Sequence, residues 1–384
     1  MHGDRSRRTT DEILDLARRG LDWVTFAEQV TESIGRVVPF DRCCWHTVDP
    51  GTVLFTGSLT RGITCSGSWL AQYEYVVEDV NKWWFLARSG RRAGATSIAT
   101  HGDLDRSARH RSSASYGIGD ELRASFSVDG AYWAAAGLLR DSDQPWFTED
   151  DVRFLAGLSE PIAEGFRRAL VNTAVAEDVI AADEGPGVVV FDAHGMPELI
   201  SPAADHWIDR MVEDPPPATP AESKMVQSVA ARARVLSAGG DPLQLAARSR
   251  VQIRSGAWLV LYGTPLTGGA AGRTAVIVQP APANEVAPLV AMAYGLSPRE
   301  CQIVRLCLTG QSTKHMANVL HVSPYTVQDH LKSIFDKTGV RSRNELVGQV
   351  FLEHYLPRWD DLDDMGPGWS VKTSTLPARP APAR

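Results

Sequence analysis

Residues 296–346 read LSPRECQIVRLCLTGQSTKHMANVLHVSPYTVQDHLKSIFDKTGVRSRNEL, and they give the clearest structural signal in the chain. Ser297-Pro298-Arg299-Glu300 forms a capping box with proline at the first helical position. A helix is therefore predicted to begin at Pro298 and to end at Gly310. Its buried stripe is predicted to consist of Ile303, Val304, Cys307 and Leu308.

Two further helices follow, with a tight turn between them. Ser312 is the predicted N-cap of the second helix, and Ser323-Pro324 begins the third after a brief turn at His321-Val322. The inward positions of the second helix are Met316, Val319 and Leu320. Those of the third helix are Val327, Leu331, Ile334 and Phe335. Two short helices joined in this way predict a helix-turn-helix unit.

A fourth helix is predicted after Gly339, which ends the third. Ser342-Arg343-Asn344-Glu345 has the pattern of a second capping box at its start. The inward positions of this helix are Leu346, Val347, Val350 and Phe351.

The outer face of the third helix is polar. It carries Tyr325, Gln328, Asp329, Lys332 and Asp336, opposite the apolar stripe. A helix that enters the DNA major groove needs amides and cations on such a face, because these groups pair with base edges. Residues 310–343 carry five basic and two acidic side chains, although the whole chain has a net charge of −7. An anionic partner is therefore expected to dock here.

This stretch resembles the four-helix DNA-binding domain of LuxR-type regulators, also called FixJ/NarL-type. LSPRE, the Gly310-x-Ser312 turn, SPYTVQDHL and KTGVRSRNEL carry the resemblance over about 55 residues. It implies that the last helix mediates dimer contact. The base readers that it implies on the third helix are Gln328, Asp329 and Lys332, with Tyr325 on the same face. The phosphate contacts that we expect are Lys314, Ser323, Thr326, Lys337, Arg341 and Arg343.

The chain departs from the family pattern at two positions. His315 stands where the family usually has glutamate, so the second helix lacks a capping box. Asp329 places a carboxylate on the reading face, where it could accept a hydrogen bond from cytosine N4 or lower the nonspecific affinity for DNA.

The chain has 384 residues, and the parts on either side of this stretch divide into further segments, which make the protein multidomain. We predict a GAF-like α+β sensor domain, a small PAS-like α+β domain, a linker, an all-α four-helix helix-turn-helix domain and a disordered tail. Their predicted ranges are 11–172, 183–280, 281–291, 292–356 and 365–384.

The first section, residues 11–172, shows the element order of an α+β sensor with an antiparallel sheet. Asp129-Gly130 between two strand-like runs indicates a hairpin. Helices are predicted over Ser68–Val80 and from Thr148 to Leu170. The predicted strands are Arg42–Val48, Thr52–Gly57, Glu121–Val128 and Ala131–Arg140. This order resembles that of GAF-type domains.

The second section, residues 183–280, is predicted to be a small sheet with one helix, over Ser223–Ser237, and it resembles a PAS-like fold. Its predicted strands are Val188–Asp192, Val251–Arg254, Ala257–Leu261 and Thr274–Val278. The segment Pro280–Pro288 is predicted to be a linker because of its proline and alanine content.

Seven of the eleven tryptophans lie in the first section, which suggests a pocket for a small molecule. The candidate pocket residues are Trp83, Trp84, Trp45 and Tyr73. The alternative is that these side chains are core and loop anchors.

Other activities find less support in the sequence. Cys44 and His46 share a strand face, but no set of residues has the spacing of a zinc or haem site, so no metal and no cofactor are predicted. The chain contains neither a G-x-S-x-G nor an H-E-x-x-H motif, so no enzyme is predicted. Asp192 ends a strand as a phospho-acceptor would, yet the acidic pair and lysine of a receiver domain are missing around it.

We therefore expect a cytoplasmic one-component transcriptional regulator without a membrane span. Its expected partners are double-stranded DNA, a second copy of the chain, RNA polymerase and a small-molecule effector. A phosphorylation-controlled response regulator and a signalling adaptor that does not bind DNA are the alternatives.

Overall fold

The computed structural model describes residues 2–172, 185–239, 245–268 and 272–348. The helices are α1 His2–Leu16, α2 Trp23–Gly35, α3 Gly67–Ala71, α4 Trp83–Ser89, α5 Thr96–Ala99, α6 Ala108–Ser113, α7 Glu149–Gly157, α8 Ser159–Asn172, α9 Pro202–Asp209, α10 Lys224–Ser237, α11 Ala283–Ala293, α12 Pro298–Leu308, α13 Thr313–Leu320, α14 Pro324–Thr338 and α15 Arg343–Val347. The strands are β1 Arg42–Asp49, β2 Leu54–Arg61, β3 Ala93–Ala95, β4 Ile118–Val128, β5 Ala131–Asp141, β6 Gly187–Phe191, β7 Pro197–Ile200, β8 Glu213–Asp214, β9 Arg248–Gln252, β10 Trp258–Pro265 and β11 Thr274–Pro280.

The strands form two sheets. The first has six strands in the order β3-β4-β5-β1-β2-β8, and the second has five in the order β7-β6-β11-β10-β9. Neighbouring strands are antiparallel except for β8, which pairs in parallel with β2. The described chain is therefore multidomain, with an N-terminal α+β region and a C-terminal helical region, as the sequence predicts. The predicted domain limits remain predictions.

The β4–β5 hairpin confirms the turn expected at Asp129-Gly130. Both residues have positive φ, 51° and 75°, which the tightest hairpin turns require at their two central positions. The ladder that follows pairs Val128 with Ala131 and continues to Ile118 opposite Asp141.

Side-chain alternation gives the first sheet two different faces. On one face Trp45 stacks between Phe126 and Phe166, with ring centroids 5.4 and 5.7 Å away, in an apolar core shared with α2 and α8. The opposite face of β1 carries Cys44 and His46. The two faces therefore support an ordinary core on one side and a polar interior on the other.

Helix α10 lies between the two sheets. All residues from Lys224 to Ala233 are buried, because the helix packs against β2 and α3 on the first section and against β10 and β11 on the second. The Lys224 ammonium and the Glu213 carboxylate, 2.8 Å apart, form a buried ion pair at its N-terminus. The helix predicted over Ser223–Ser237 is thus confirmed, with Ser223 as its N-cap residue.

A second buried ion pair joins the sheets directly. Arg250 on β9 donates to both carboxylate oxygens of Asp49 at the end of β1, at 2.6 and 2.8 Å, and both side chains are almost fully buried. Ser249 Oγ donates to the carbonyl of Phe55 at 3.1 Å. The two sections therefore share polar as well as apolar contacts.

Several predicted boundaries are wrong. The helix expected over Ser68–Val80 ends at Ala71 and continues only as a π-helical turn to Val76. The long helix from Thr148 is two helices that meet at Leu158. Strand β7 and helix α9 were not expected, because exposed strand residues and a short capped helix give a weak pattern.

The segment predicted as a linker, 281–291, contains a helix, Ala283–Ala293, which the sequence reading did not expect. Pro288 lies inside this helix on its exposed side, where the ring meets solvent. Val286, Leu289 and Val290 are buried, and the helix packs against α8. Burial of this apolar stripe outweighs the helix-breaking effect of one proline.

None of the helices in the described ranges is long and apolar enough to cross a bilayer.

The Asp49–Arg250 pair generates a stability prediction. Asp49→Ala leaves the Arg250 guanidinium buried without its carboxylate, so we expect the free energy of unfolding to fall by about 3–5 kcal/mol. Asp15→Ala is the control, because it breaks an exposed pair with Arg19 that contributes less than about 1 kcal/mol. Urea unfolding of the full chain measures both, and equal losses in the two variants would contradict the prediction.

Candidate nucleic-acid interface

Helix α12 begins as its sequence predicts. Ser297 Oγ accepts from the backbone N–H of Glu300 at 3.3 Å, and Glu300 Oε2 accepts from the N–H of Ser297 at 2.6 Å. This is a complete capping box with Pro298 at the first position. Ile303, Val304 and Cys307 are buried, whereas Leu308 is more than one third exposed.

Glu300 also ties α12 to α14, a role that the sequence pattern did not reveal. Its carboxylate accepts from Lys337 Nζ and from Ser333 Oγ, each at 2.7 Å. Burial alone would raise the pKa of Glu300, but the hydrogen bonds from Lys337, Ser297 and Ser333 outweigh burial and lower the pKa to about 2. The carboxylate is therefore ionised and fixes α14 against α12.

The helix-turn-helix predicted from the sequence is present. Ser312 and Ser323 are the N-caps of α13 and α14, and each hydroxyl accepts from the backbone N–H three residues later. The turn between the helices is closed by His321 in the left-handed conformation, with φ 52°. Gly339, with φ 74°, ends α14.

The inward side of α14 packs on α12 and α13. Val327, Leu331 and Ile334 are buried, and Phe335 is half-buried. The outer face is open to solvent, and Tyr325 is 80% exposed. The other exposed side chains of this face are Gln328, Asp329, Lys332 and Asp336. The four candidate base readers thus lie side by side on one face of one helix.

The candidate phosphate contacts differ in their surroundings. Lys314 and Arg341 are exposed at the surface. Ser323 and Thr326 are joined to each other by a hydrogen bond of 2.9 Å between their hydroxyl oxygens. Lys337 is engaged by Glu300.

The sixth candidate, Arg343, donates to the carbonyl of Gln311. This contact ties the start of α15 to the loop before α13.

The helix-turn-helix faces the rest of the chain through α12. A crevice of about 1220 Å³ separates α12 from the first section, and its walls include Trp133, Arg167, Pro298 and Arg305. Tyr325 and Gln328 are not among its lining residues. The outer face of α14 therefore stays accessible in this arrangement.

Comparison with known proteins agrees with this geometry. Residues 295–350 match the family "Bacterial regulatory proteins, luxR family". Residues 295–350 are a LuxR-family helix-turn-helix domain. Relatives from Mycobacterium bovis and Mycobacterium tuberculosis, whose names describe them as HTH-type transcriptional regulators, are 46% identical over 55 residues. That match covers 14% of this chain and 6% of the length of those relatives.

Two solved structures resemble larger parts of the chain more weakly. The ligand-binding domain of VqsR from Pseudomonas aeruginosa is 13% identical, with a TM-score of 0.28, and the match covers 43% of this chain and 95% of that one. The DhaR(N)–DhaL complex from E. coli is 12% identical, with a TM-score of 0.21, and the match covers 73% of this chain and 90% of that one. Similarity at these TM-scores does not establish a common fold.

The start of the last helix of the LuxR-family domain departs from the predicted capping box. Ser342 Oγ accepts from the N–H of Glu345 at 3.1 Å, as expected. The Glu345 carboxylate, however, accepts from the N–H of Arg341 and not from that of Ser342. Leu346 is buried. The predicted inward residues Val350 and Phe351 lie outside the described residues, as does the predicted tail 365–384.

Outside the LuxR-family domain, the first section contains a cavity of about 550 Å³ on the polar face of its sheet. Of the four predicted pocket residues, Trp83 lines it. Trp45 lies on the opposite face of β1, because successive side chains of a strand alternate, and it is part of the core. Trp84 and Tyr73 are half-buried outside the cavity lining, Tyr73 against Trp69.

The sequence reasoning missed most of the residues that do line this cavity. They include His46, Trp69, Arg109, Glu121 and Arg123. The shared strand face of Cys44 and His46 was the one available signal, and both residues face the cavity. No group of three or more metal-ligating side chains occurs in the part of the chain that the structure describes.

Asp192 has a local structural role. Its Oδ1 accepts from the N–H groups of His194 and Met196, each at 2.8 Å, and so closes the turn after β6. This carboxylate is a turn former, as aspartate commonly is at such positions.

The Glu300 contacts generate a pH prediction. Because the pKa of Glu300 is lowered in the folded state, its ionised form stabilises the domain above pH 4.5. This contribution is lost as the pH falls towards about 2. Glu300→Gln should therefore lower the thermal midpoint at pH 7, and the difference from the wild type should shrink at pH 3.

Thermal unfolding at the two pH values checks this expectation. Glu345→Gln is the control, since that carboxylate is exposed and accepts a hydrogen bond from the backbone N–H of Arg341, not from a side chain of the described residues. A wild-type advantage over Glu300→Gln that is equally large at pH 3 would contradict the lowered pKa.

Proposed function

We propose that this chain is a one-component transcriptional regulator that binds double-stranded DNA through its LuxR-family domain. The observation that carries the proposal is the outer face of α14, where an exposed aromatic ring, an amide, a carboxylate and an ammonium follow each other at helical spacing. The opposite face of α14 packs in buried contacts, and Lys337 donates to Glu300 on α12. The four candidate base readers therefore project from a helix whose position is fixed.

In this proposal the N-terminal residues of α14 enter the major groove. Gln328, Asp329 and Lys332 read base edges, and Tyr325 contacts the groove at the start of the helix. Lys314, Ser323, Thr326 and Arg341 contact phosphates and set the register. Lys337 and Arg343 contribute positive charge near the DNA phosphates, while they donate hydrogen bonds to Glu300 and to the Gln311 carbonyl.

The proposal further includes a homodimer on DNA, in which two copies occupy half-sites about one helical turn apart. The first section acts as a GAF-like sensor and the second as a PAS-like domain, and a small molecule bound there changes how the LuxR-family domain engages DNA. Such regulation requires the small molecule to prefer one arrangement of the chain over another.

Loss of one reading side chain should relax sequence specificity. After selection of bound duplexes from a random library, Gln328→Ala should bind the preferred duplex more weakly by about 1–3 kcal/mol and lose preference at one base position. Gln302→Ala removes an exposed amide from α12 instead and is the matched control. An unchanged preference at all positions in Gln328→Ala would contradict its role as a base reader.

Loss of a phosphate contact should act differently. Lys314→Ala should weaken binding to all duplexes alike and reduce the dependence of log affinity on log salt concentration by about one unit. Gel shifts at several salt concentrations measure this slope, with the exposed Arg91→Ala as the control. A signalling adaptor would show no salt-dependent shift with any duplex, so the same titration separates the two functions.

A further inference from the structure

The cavity in the first section is enclosed by three kinds of wall. Strands β1 and β4 form its floor, the segment from Gly62 to Leu70 forms one side, and α4 and α6 contribute Trp83, Arg109 and Ser113. Its volume of about 550 Å³ is within the usual range for sites that hold a small organic molecule.

Two buried side chains in this lining have unused hydrogen-bonding atoms. His46 is fully buried, and neither of its ring nitrogens has a hydrogen-bond partner among the described residues. Arg109 is 2% exposed, and its Nη2 likewise lacks a partner within the described ranges. Buried polar groups are normally paired, because each one left unpaired lowers stability by about 1–3 kcal/mol.

The charges around the cavity are already compensated. Arg123 lies between the carboxylates of Glu74 and Glu121, each at 2.9 Å. Arg109 Nε donates to Glu121 at 2.7 Å, and its Nη1 lies 3.5 Å from Asp79. An anionic ligand would therefore add an unmatched buried charge, which is costly.

His46 adds no positive charge either. Burial, together with the charges of Lys224 and Arg123, lowers the pKa of His46 well below its ordinary value. The ring is neutral at pH 7 and offers one donor and one acceptor. Among the buried side chains of this lining, the unpaired polar groups are thus an N–H of Arg109 and a neutral imidazole; the more exposed polar lining residues include Arg42, Thr64, His110 and Tyr116.

The aromatic walls present apolar surface to the cavity. Trp83 Nε1 donates to the carbonyl of Ala136 at 2.9 Å, and Trp69 Nε1 donates to Ser112 Oγ at 2.7 Å. Both indole N–H groups are used by the protein, and the Arg123 guanidinium covers the Trp83 ring at 3.7 Å from its centroid, so of the two rings it is the half-buried Trp69 that offers apolar surface for packing. Flat, apolar molecules fit such walls best.

We propose that this cavity binds an uncharged, planar organic molecule whose carbonyl oxygen accepts from Arg109 Nη2, beside His46. This inference names the effector class of the proposed function and rests on that function for its regulatory meaning. The binding itself needs no DNA and can be measured without it.

Three probes that share one ring system test the ligand chemistry. Calorimetric titration of the full chain at pH 7 compares 2-acetylnaphthalene with 2-ethylnaphthalene, which lacks the oxygen, and with the anion 2-naphthoate. We expect the ketone to bind with one-to-one stoichiometry and about tenfold more tightly than either comparison, as one hydrogen bond to a charged donor allows. Tighter binding of the anion, or no binding of the ketone, would overturn the proposal.

Two variants locate the bound probe. Cys65→Trp places an indole in the cavity lining and should abolish ketone binding, whereas Ser89→Trp, at the exposed end of α4, should leave it unchanged. Arg109→Lys keeps the charge opposite Glu121 but lacks the planar fork, so the ketone should lose its preference over 2-ethylnaphthalene. If Arg109→Lys fails to fold, Cys65→Trp decides, and ketone binding that survives Cys65→Trp would overturn the proposal.

Gel shifts on the same preparations separate the two proposals. A chain that binds DNA but not the ketone contradicts the cavity assignment alone. A chain that binds the ketone but shifts no duplex contradicts the proposed DNA-binding function and leaves the cavity assignment in place.

Discussion

The alternation of side chains along β1 and β4 determines how the N-terminal region is built. Trp45 and Phe126 face α2 and α8 and belong to the apolar core. His46, which follows the core residue Trp45, and Arg123, which lies between the core residues Leu122 and Ala124, face the cavity. A shift of one residue in the pairing of β1 would turn Trp45 towards the cavity and His46 into the apolar core. The register of β1 against β5 and β2 is therefore the constraint on which both the core and the cavity depend.

The dry face of this sheet also supports the C-terminal domain. Helix α8 packs on it, α11 packs on α8, and α12 follows α11 after a turn at Gly295 with φ 68°. Glu285 on α11 accepts from Arg248 and from Tyr262 Oη, so the second sheet holds the same helix. The LuxR-family domain is thus linked to both sheets through one helix. Within the described residues, a change in either sheet can reach the outer face of α14 by moving α11 or the contacts of α12.

Local and long-range signals explain which features the sequence predicts. Helix starts at Ser297, Ser312 and Ser323 depend on hydrogen bonds within three residues, and all three are where the sequence places them. The contact of Glu300 with Lys337 joins residues 37 positions apart, so no local pattern shows it. The capping box of α12 is a local pattern and was predicted, whereas the contact of Glu300 with α14 is long-range and was not.

The cavity was predictable only in part, for the same reason. The run Cys43-Cys44-Trp45-His46 is apolar or weakly polar on both faces, so alternation alone cannot say which side chains meet the core. Arg109 comes to Glu121 and Asp79 from a short helix in a segment without clear periodicity. The proline-rich composition of 280–288 favours a linker without a helix, whereas burial of Leu289 and Val290 keeps α11 helical. In each case the deciding contact lies far away in the sequence, and it is the packed fold that supplies it.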